Sequence, residues 1–268
     1  MNITTIRHVI IFSLCVCALS CVSTAGTAPY VPDTRSMQEQ SESGYWVSRP
    51  SGNELIIIGV SSIMAKRDTE LDTAKQDAAR KASMFNGVQG VIETFSRSGS
   101  AGFFDSVNAS SIDLSYDTNY QNYISNLKFD PEKDVLRTND AVFVRFRYSA
   151  AVDSIQYNSG KDSKGRPYWT SHRELPQING YRTVVALAQR QSRLKDTIIK
   201  SADAAIAGLI QDMSTQVHAT DYSQSKGGTS GTISTRSEGK LDKFMILEFW
   251  IEPETMNVYT LAAARQLK

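Results

Sequence analysis

The chain has 268 residues, 29 Lys and Arg against 28 Asp and Glu, a net charge of +1 and 41% hydrophobic residues. Such a balance leaves no electrostatic footprint for nucleic acid or for a grip on anionic lipid, and the length and hydrophobicity suit one large or two small globular cores. All three cysteines fall within residues 15–21, so the rest of the chain can build neither a disulfide framework nor a thiolate metal site.

Residues 1–20 have the layout of a secretory signal. Arg7 supplies the positive charge, and an apolar run follows from Val9 to Leu19. That run is too short to cross a bilayer, which takes about 20 apolar residues. Two cleavage sites are open. One follows Ala25 in Ser23-Thr24-Ala25 and would release a cysteine-free chain. The other is Ala18-Leu19-Ser20-Cys21, which resembles a relaxed bacterial lipobox with Ala18 three residues before the cysteine and Ser20 just before it. Leu14 and Val16 precede Cys15 and Cys17, where a small residue is required, so these two read as apolar filler in a discarded segment. An exported chain with one remaining cysteine just after its signal core favours the lipobox, with Cys21 as the lipidated, palmitate-bearing residue. A multiply acylated cysteine meets the requirement that stable anchoring takes more than one acyl chain. Val22 and Ser23 follow without an acidic residue, which directs the expectation to an outer membrane, with its inner or outer leaflet left open. The membrane partner is thus expected to be reached through lipid at residue 21.

Residues 21–44 read as a lipidated cysteine and a flexible tether, being small and polar, with two prolines and no periodicity. A first folded unit is expected over 45–150. "ELIIIGVSS" reads as a strand buried on both faces. Thr69-Glu70-Leu71-Asp72 resembles a capping box, and Leu71, Ala74, Ala78, Ala82, Phe85, Ile92 and Phe95 recur at helical spacing, with alanines that allow close approach to a sheet. Tyr116, Tyr120 and Tyr123 stand at helical spacing on a short second helix. They form either an aromatic contact face or part of the core. "DVLRTNDAVFVRFRYSA" reads as a hairpin with Val142, Val144, Phe146 and Tyr148 on one face and Arg145 and Arg147 on the other.

After a linker at 151–166, the same order returns over 167–268. Tyr168-Trp169-Thr170-Ser171 echoes Tyr45-Trp46-Val47-Ser48, and "YRTVVALAQ" answers the first strand. A helix with Leu194, Ile198, Ala202, Ala205 and Leu209 on one face then aligns Asp203-Ala204-Ala205 with Asp77-Ala78-Ala79. "MILEFWIEPETMNVYTLAAAR" reads as a hairpin in which Val258-Tyr259 matches Val142-Phe143. "NSGKDSKGRP" (158–167) and "SKGGTSGTISTRSEG" (225–239) read as connectors. The expected fold is α+β, two repeated strand–helix–hairpin units with helices packed on antiparallel-rich sheets.

The search for chemistry returns no catalytic, cofactor or metal set. His172 and His218 lack metal-ligand spacing. "SGKDSKG" lacks the upstream glycine of a phosphate loop and has Asp162 in its hydroxyl position. There is no G-x-S-x-G elbow, and Glu252 and Glu254 flank Pro253 in a turn. No enzyme is expected, and no cofactor.

"W-x-x-R-P" at Trp46–Pro50, a strand ending in Gly59-Val60-Ser61, the alanine-rich helix behind it and the C-terminal "FWIEPETMNVYTLAAAR" resemble the LPP-twenty family of bacterial lipoproteins. The resemblance covers the first unit and the last twenty residues, but not the duplication. Met256-Asn257 departs from it, standing where the family's loop would carry Gly. It implies a non-enzymatic envelope lipoprotein, structural or interacting, flagellar or surface-associated, with an envelope protein as partner. The alternative is a periplasmic or surface module binding a small molecule or glycan in a cleft between the units, lined by aromatics such as Trp169 and Trp250.

Overall fold

The computed structural model describes residues 35–50, 53–98, 109–153, 155, 157, 160–171, 175–213, 217–225 and 228–266, which all fall in one compact unit, Val31–Lys268. Folding starts earlier than the composition suggests. Met37–Ser43, expected within the tether, forms helix α1. Ser36 and Glu39 close a reciprocal capping box, Met37 and Gln40 are buried, and Gly44 ends the helix at φ 63°. Seven residues carry no visible period, and two buried side chains plus two caps suffice to order them. The chain turns into β1 (Tyr45–Val47).

Strand β2 (Glu54–Ser61) is largely buried, and helix α2 (Arg67–Asn86) follows. Ala74, Ala78 and Ala82 lie fully buried against it. The approach is so close that a Cβ at Gly59 would run into the Ala74 carbonyl and sit 2.9 Å from Phe146. Two expectations need correction here. The helix starts at Arg67, so Thr69–Asp72 is no capping box. Glu70 accepts instead from the Met64 N–H at 2.7 Å, tying down the loop before the helix. The helical stripe also stops at Asn86, because Ile92 and Phe95 lie in β3 (Val88–Ser98). Seven apolar positions over 25 residues fit one long helix in sequence, but Gly87 at φ 144° breaks it.

β3 pairs with β4 (Ala109–Ser115). A single helical turn, α3 (Gln121–Ile124), then leads to β5 (Leu127–Lys128), β6 (Val135–Arg137) and β7 (Val142–Ser149). β7 is the centre of a four-stranded antiparallel sheet with β2 on one edge and β5 and β6 on the other. The second half runs through a 3₁₀ turn (Tyr168–Ser171), β8 (Arg182–Ala188), α4 (Leu194–Met213), β9 (Val217–Ser225), β10 (Gly228–Ile251) and β11 (Val258–Gln266). Tyr168–Ser171 therefore does not copy β1, although the residues are alike. The "connector" 225–239 is corrected as well, because it is mostly β10. Its Gly, Ser and Thr have no apolar face to announce a strand, and pairing on both edges overrides that weak local preference.

The larger sheet has seven strands in the order β4-β3-β10-β11-β8, with β1 and β9 also on β10. All its pairings are antiparallel. The fold is α+β on two antiparallel sheets. Trp46 of β1 stacks on Phe143 of β7 at 4.0 Å between ring centroids, joining the two sheets through one core.

The repeated order has a spatial counterpart. β2 and β8 each lead through a five-residue link into a 20-residue helix, and each pairs antiparallel with the last strand of its own half, β7 or β11. Val142 and Val258 both open those closing strands. The halves are interleaved, however. β1, β3 and β4 from the first half hydrogen-bond into the sheet that carries β8–β11, so no boundary at 151–166 divides the sheets.

Candidate functional site

Cys21, Cys15, Cys17 and His172 lie outside the described residues, as does the side chain of His218. The three tyrosines do not share one exposed face. Tyr123 is 8% exposed, packs in the main core and donates from its hydroxyl to Asp117 at 3.0 Å. Tyr116 and Tyr120 are half-buried against two different clusters. Burial raises the Tyr120 phenol to about 12, with the Tyr116 hydroxyl next to it adding to the shift. Trp169 and Trp250 are core residues, and neither lines the cleft formed by the two repeated strand-to-helix links. Glu252 accepts from Thr255 and Asn257 within the β10–β11 turn, where Met256 takes φ 59°. That left-handed residue is the departure from glycine seen in the sequence.

The strongest polar centre is one that sequence reasoning missed. Glu248 lies near the C-terminal end of β10 between Leu247 and Phe249, with its side chain 0% exposed. A charge at a core-facing position is costly unless paired and hydrogen-bonded, and here four segments converge to satisfy it. Arg49 donates from Nε at 2.8 Å and also from Nη2. Tyr157 donates at 2.7 Å, Trp169 Nε1 at 2.6 Å, and the Tyr45 hydroxyl closes the set. Burial and then the Glu248 charge push the Tyr157 phenol well up. For Arg49, burial works downward, but Glu248 outweighs it and the guanidinium is held charged. A carboxylate has about four lone-pair sites. The donors from Arg49, Tyr45, Tyr157 and Trp169 fill them. It staples β1, the Arg49 segment, the Tyr157 segment and the 3₁₀ turn to β10. The available signal was one acid inside the apolar run "MILEFWI".

A second buried network joins the two repeats. Asp77 Oδ2 accepts from Lys81 at 2.7 Å and from the Val60 N–H at 2.9 Å. Lys81 also donates to the Ile58 carbonyl at 2.7 Å. Arg80 then reaches from Asp77 (3.8 Å) to Asp203 (3.1 Å), so the two aspartates aligned by the internal repeat share one guanidinium. Burial alone would raise the Asp77 carboxyl. Lys81, Arg80 and the two hydrogen bonds more than reverse this and hold it below the usual range.

Where a ligand could enter, a cleft of about 450 Å³ opens at the end of the fold where loops converge. The two repeated strand-to-helix links form its walls, through Ser62–Met64 on one side and Arg190–Arg193 on the other. Asp140 and Met256 come from the β6–β7 and β10–β11 turns. Two arginines, one aspartate and several hydroxyl and amide groups suit a small polar or anionic molecule. Among the described residues no group of three His, Cys, Asp or Glu side chains is placed to hold a metal. No protein-family model matches the chain, and neither a curated protein nor a solved structure matches it significantly.

Proposed function

We propose that this chain is a lipid-anchored protein of a bacterial cell envelope, held at the outer membrane by an acylated Cys21, with a structural or protein-binding role and no catalysis of its own. The single observation that carries this reading is Cys21. It is the last cysteine of the chain and stands directly behind an 11-residue apolar run with a small residue before it. The LPP-twenty resemblance points the same way, to an envelope or flagellar partner. The interior supports a scaffold rather than a reaction centre. Glu248 is saturated by Arg49, Tyr45, Tyr157 and Trp169, and Asp77 is engaged by Lys81 and a backbone amide. Labelling with clickable palmitate, comparing the natural chain with Cys21→Ala, tests it. The label and membrane fractionation are expected to vanish with the cysteine. An unlabelled chain that fractionates as soluble protein beginning at Gly26 overturns it.

The second reading, a module binding a small molecule or glycan, now has a different location. The cleft between the two repeated links, with Arg190 and Arg193 on one wall, is the observation that favours it. A thermal-shift screen with anionic sugars and nucleotides is expected to find a stabiliser whose effect is lost in Arg193→Glu. A screen in which no compound raises the melting temperature, or in which Arg193→Glu keeps the shift, removes this reading.

A further inference from the structure

The distal part of the larger sheet is a four-stranded antiparallel ribbon, β4-β3-β10-β9, made of two hairpins. Among the described strands, β4 pairs with β3 alone and β9 with β10 alone. Each therefore turns a row of backbone donors and acceptors away from the ribbon. Such edges are a template for further pairing, and proteins that stay monomeric blunt them with proline, lysine or a bulge. Neither "ASSIDLS" of β4 nor "VHATDYSQS" of β9 contains proline or lysine, and the acidic residues are one in each, Asp113 and Asp221. Both pair with their neighbours in unbroken register, over seven residues in β4 and nine in β9.

The directions match as well. Along the ribbon the strands alternate strictly, so β4 and β9 run opposite ways. β4 of one molecule laid against β9 of the next continues the alternation without a parallel junction. One further observation marks β4. Ile112 is 42% exposed on this edge strand, one of four large apolar side chains exposed to that degree among the described residues. Its cross-strand neighbour Ile92 is fully buried. Ile112 thus stands on the same face of the sheet as the core, with a neighbour on one side only. A paired strand on the open side would bury it as a cross-strand contact.

We infer that the partner at this surface is a second copy of the chain, with β4 of each molecule pairing antiparallel with β9 of the next. The two edges are different patches, so the contact is head-to-tail, and repetition gives a closed ring or a filament rather than a two-fold dimer. The inference deepens the scaffold reading above, on which it rests for the place where copies meet, by naming the partner.

The full-length chain, expressed in a bacterial host and extracted in mild detergent, is tested in two ways. Ile112→Lys introduces the natural edge-blocking residue at a solvent-exposed position. Light scattering is expected to change from a multimer to a monomer, while Leu187→Lys, at a residue 44% exposed on the edge strand β8, leaves the multimer intact. Independently, Ser111→Cys in β4 is combined in turn with Ala219→Cys, Asp221→Cys and Ser223→Cys in β9. Paired strands bring opposing Cα atoms to about 4.5–5.5 Å, within disulfide reach. One of the three combinations is expected to give a ladder on non-reducing gels that collapses to monomer when either cysteine is omitted. A monomeric natural chain, a multimer broken by Leu187→Lys and not by Ile112→Lys, or cysteine pairs that crosslink only to a different protein would overturn the inference. Palmitate labelling of the same preparations keeps the two proposals apart. Label lost with an intact ladder defeats lipid anchoring alone, and a labelled monomer defeats copy pairing alone.

Discussion

The two halves of β10 are one unbroken strand held in two different ways. From Leu241 to Ile251 it is apolar, with Leu241, Phe244, Met245, Leu247, Phe249 and Trp250 buried between β11 and β1. This half also carries Glu248 and its ring of donors. From Gly228 to Lys240 it reads "GTSGTISTRSEGK" and lies between β9 and β3. In the first half, side chains dictate position. The ladder to β11 even tolerates two register shifts there, with Lys243 at φ 50° inside the first. In the second half the backbone ladder does the holding, and its register to β3 runs unshifted over eleven residues. Burial specifies a strand by what it hides, whereas backbone pairing specifies it only by its neighbours.

Substitutions that separate the two halves should differ in size accordingly. Glu248→Leu strikes the buried staple and takes away the carboxylate that Arg49, Tyr45, Tyr157 and Trp169 share, a loss of about 3–5 kcal/mol. Urea denaturation should show the midpoint fall with the slope unchanged. Asp77→Asn, in the network that links the repeats, should approach the same size, and it also has a pH signature. A carboxyl held low in the fold and ordinary (about 3.9) when unfolded stabilises fully above that unfolded value. The contribution is lost as pH falls through the depressed folded value. Melting temperatures of the natural chain should therefore drop below about pH 4, and Asp77→Asn should show a shallower acid loss over that range. Gly59→Ala forces a methyl between β2 and the Ala74 carbonyl, and about 1–3 kcal/mol should follow from overpacking. The smallest effect belongs to the distal half. Arg236 pairs with Glu93 at 3.5 Å and Glu238 at 3.8 Å, all of them exposed, so Arg236→Ala should cost under about 1 kcal/mol. If Arg236→Ala destabilised the chain as much as Glu248→Leu, the contrast between the two halves would be wrong.

Legibility in the sequence followed the same division. β2, β7, β8, α4 and the β10–β11 hairpin could be read because each presents apolar residues at a regular spacing against a core. The Asp77 and Asp203 match was readable for a related reason, since equal positions on two equivalent helices lie near each other in the fold. β3, β9 and the distal half of β10 were not readable. Their Ser, Thr and Gly residues have no period, and Ile92 and Phe95 happened to continue the helical spacing of α2. Tyr123 fitted a contact face or the core by its spacing, and only the fold, with Asp117 and the main core around it, chose the core. The Glu248 site was hidden because its donors stand 199, 203, 91 and 79 residues away in the chain.

The sequence alone determined the α+β class, the two long helices and the alanine face that lets α2 settle on β2, because each depends on residues a few positions apart. It also carries the case for Cys21, which rests on a local pattern of charge, apolar length and small residues. Only the tertiary structure decided that the two halves interleave in one sheet, that 228–240 is strand rather than connector, and that one buried glutamate ties four segments together. Those outcomes depend on which distant backbone groups and side chains come to satisfy one another. That choice is made when hydrogen bonds and charges lose water together, and no stretch of chain encodes it by itself.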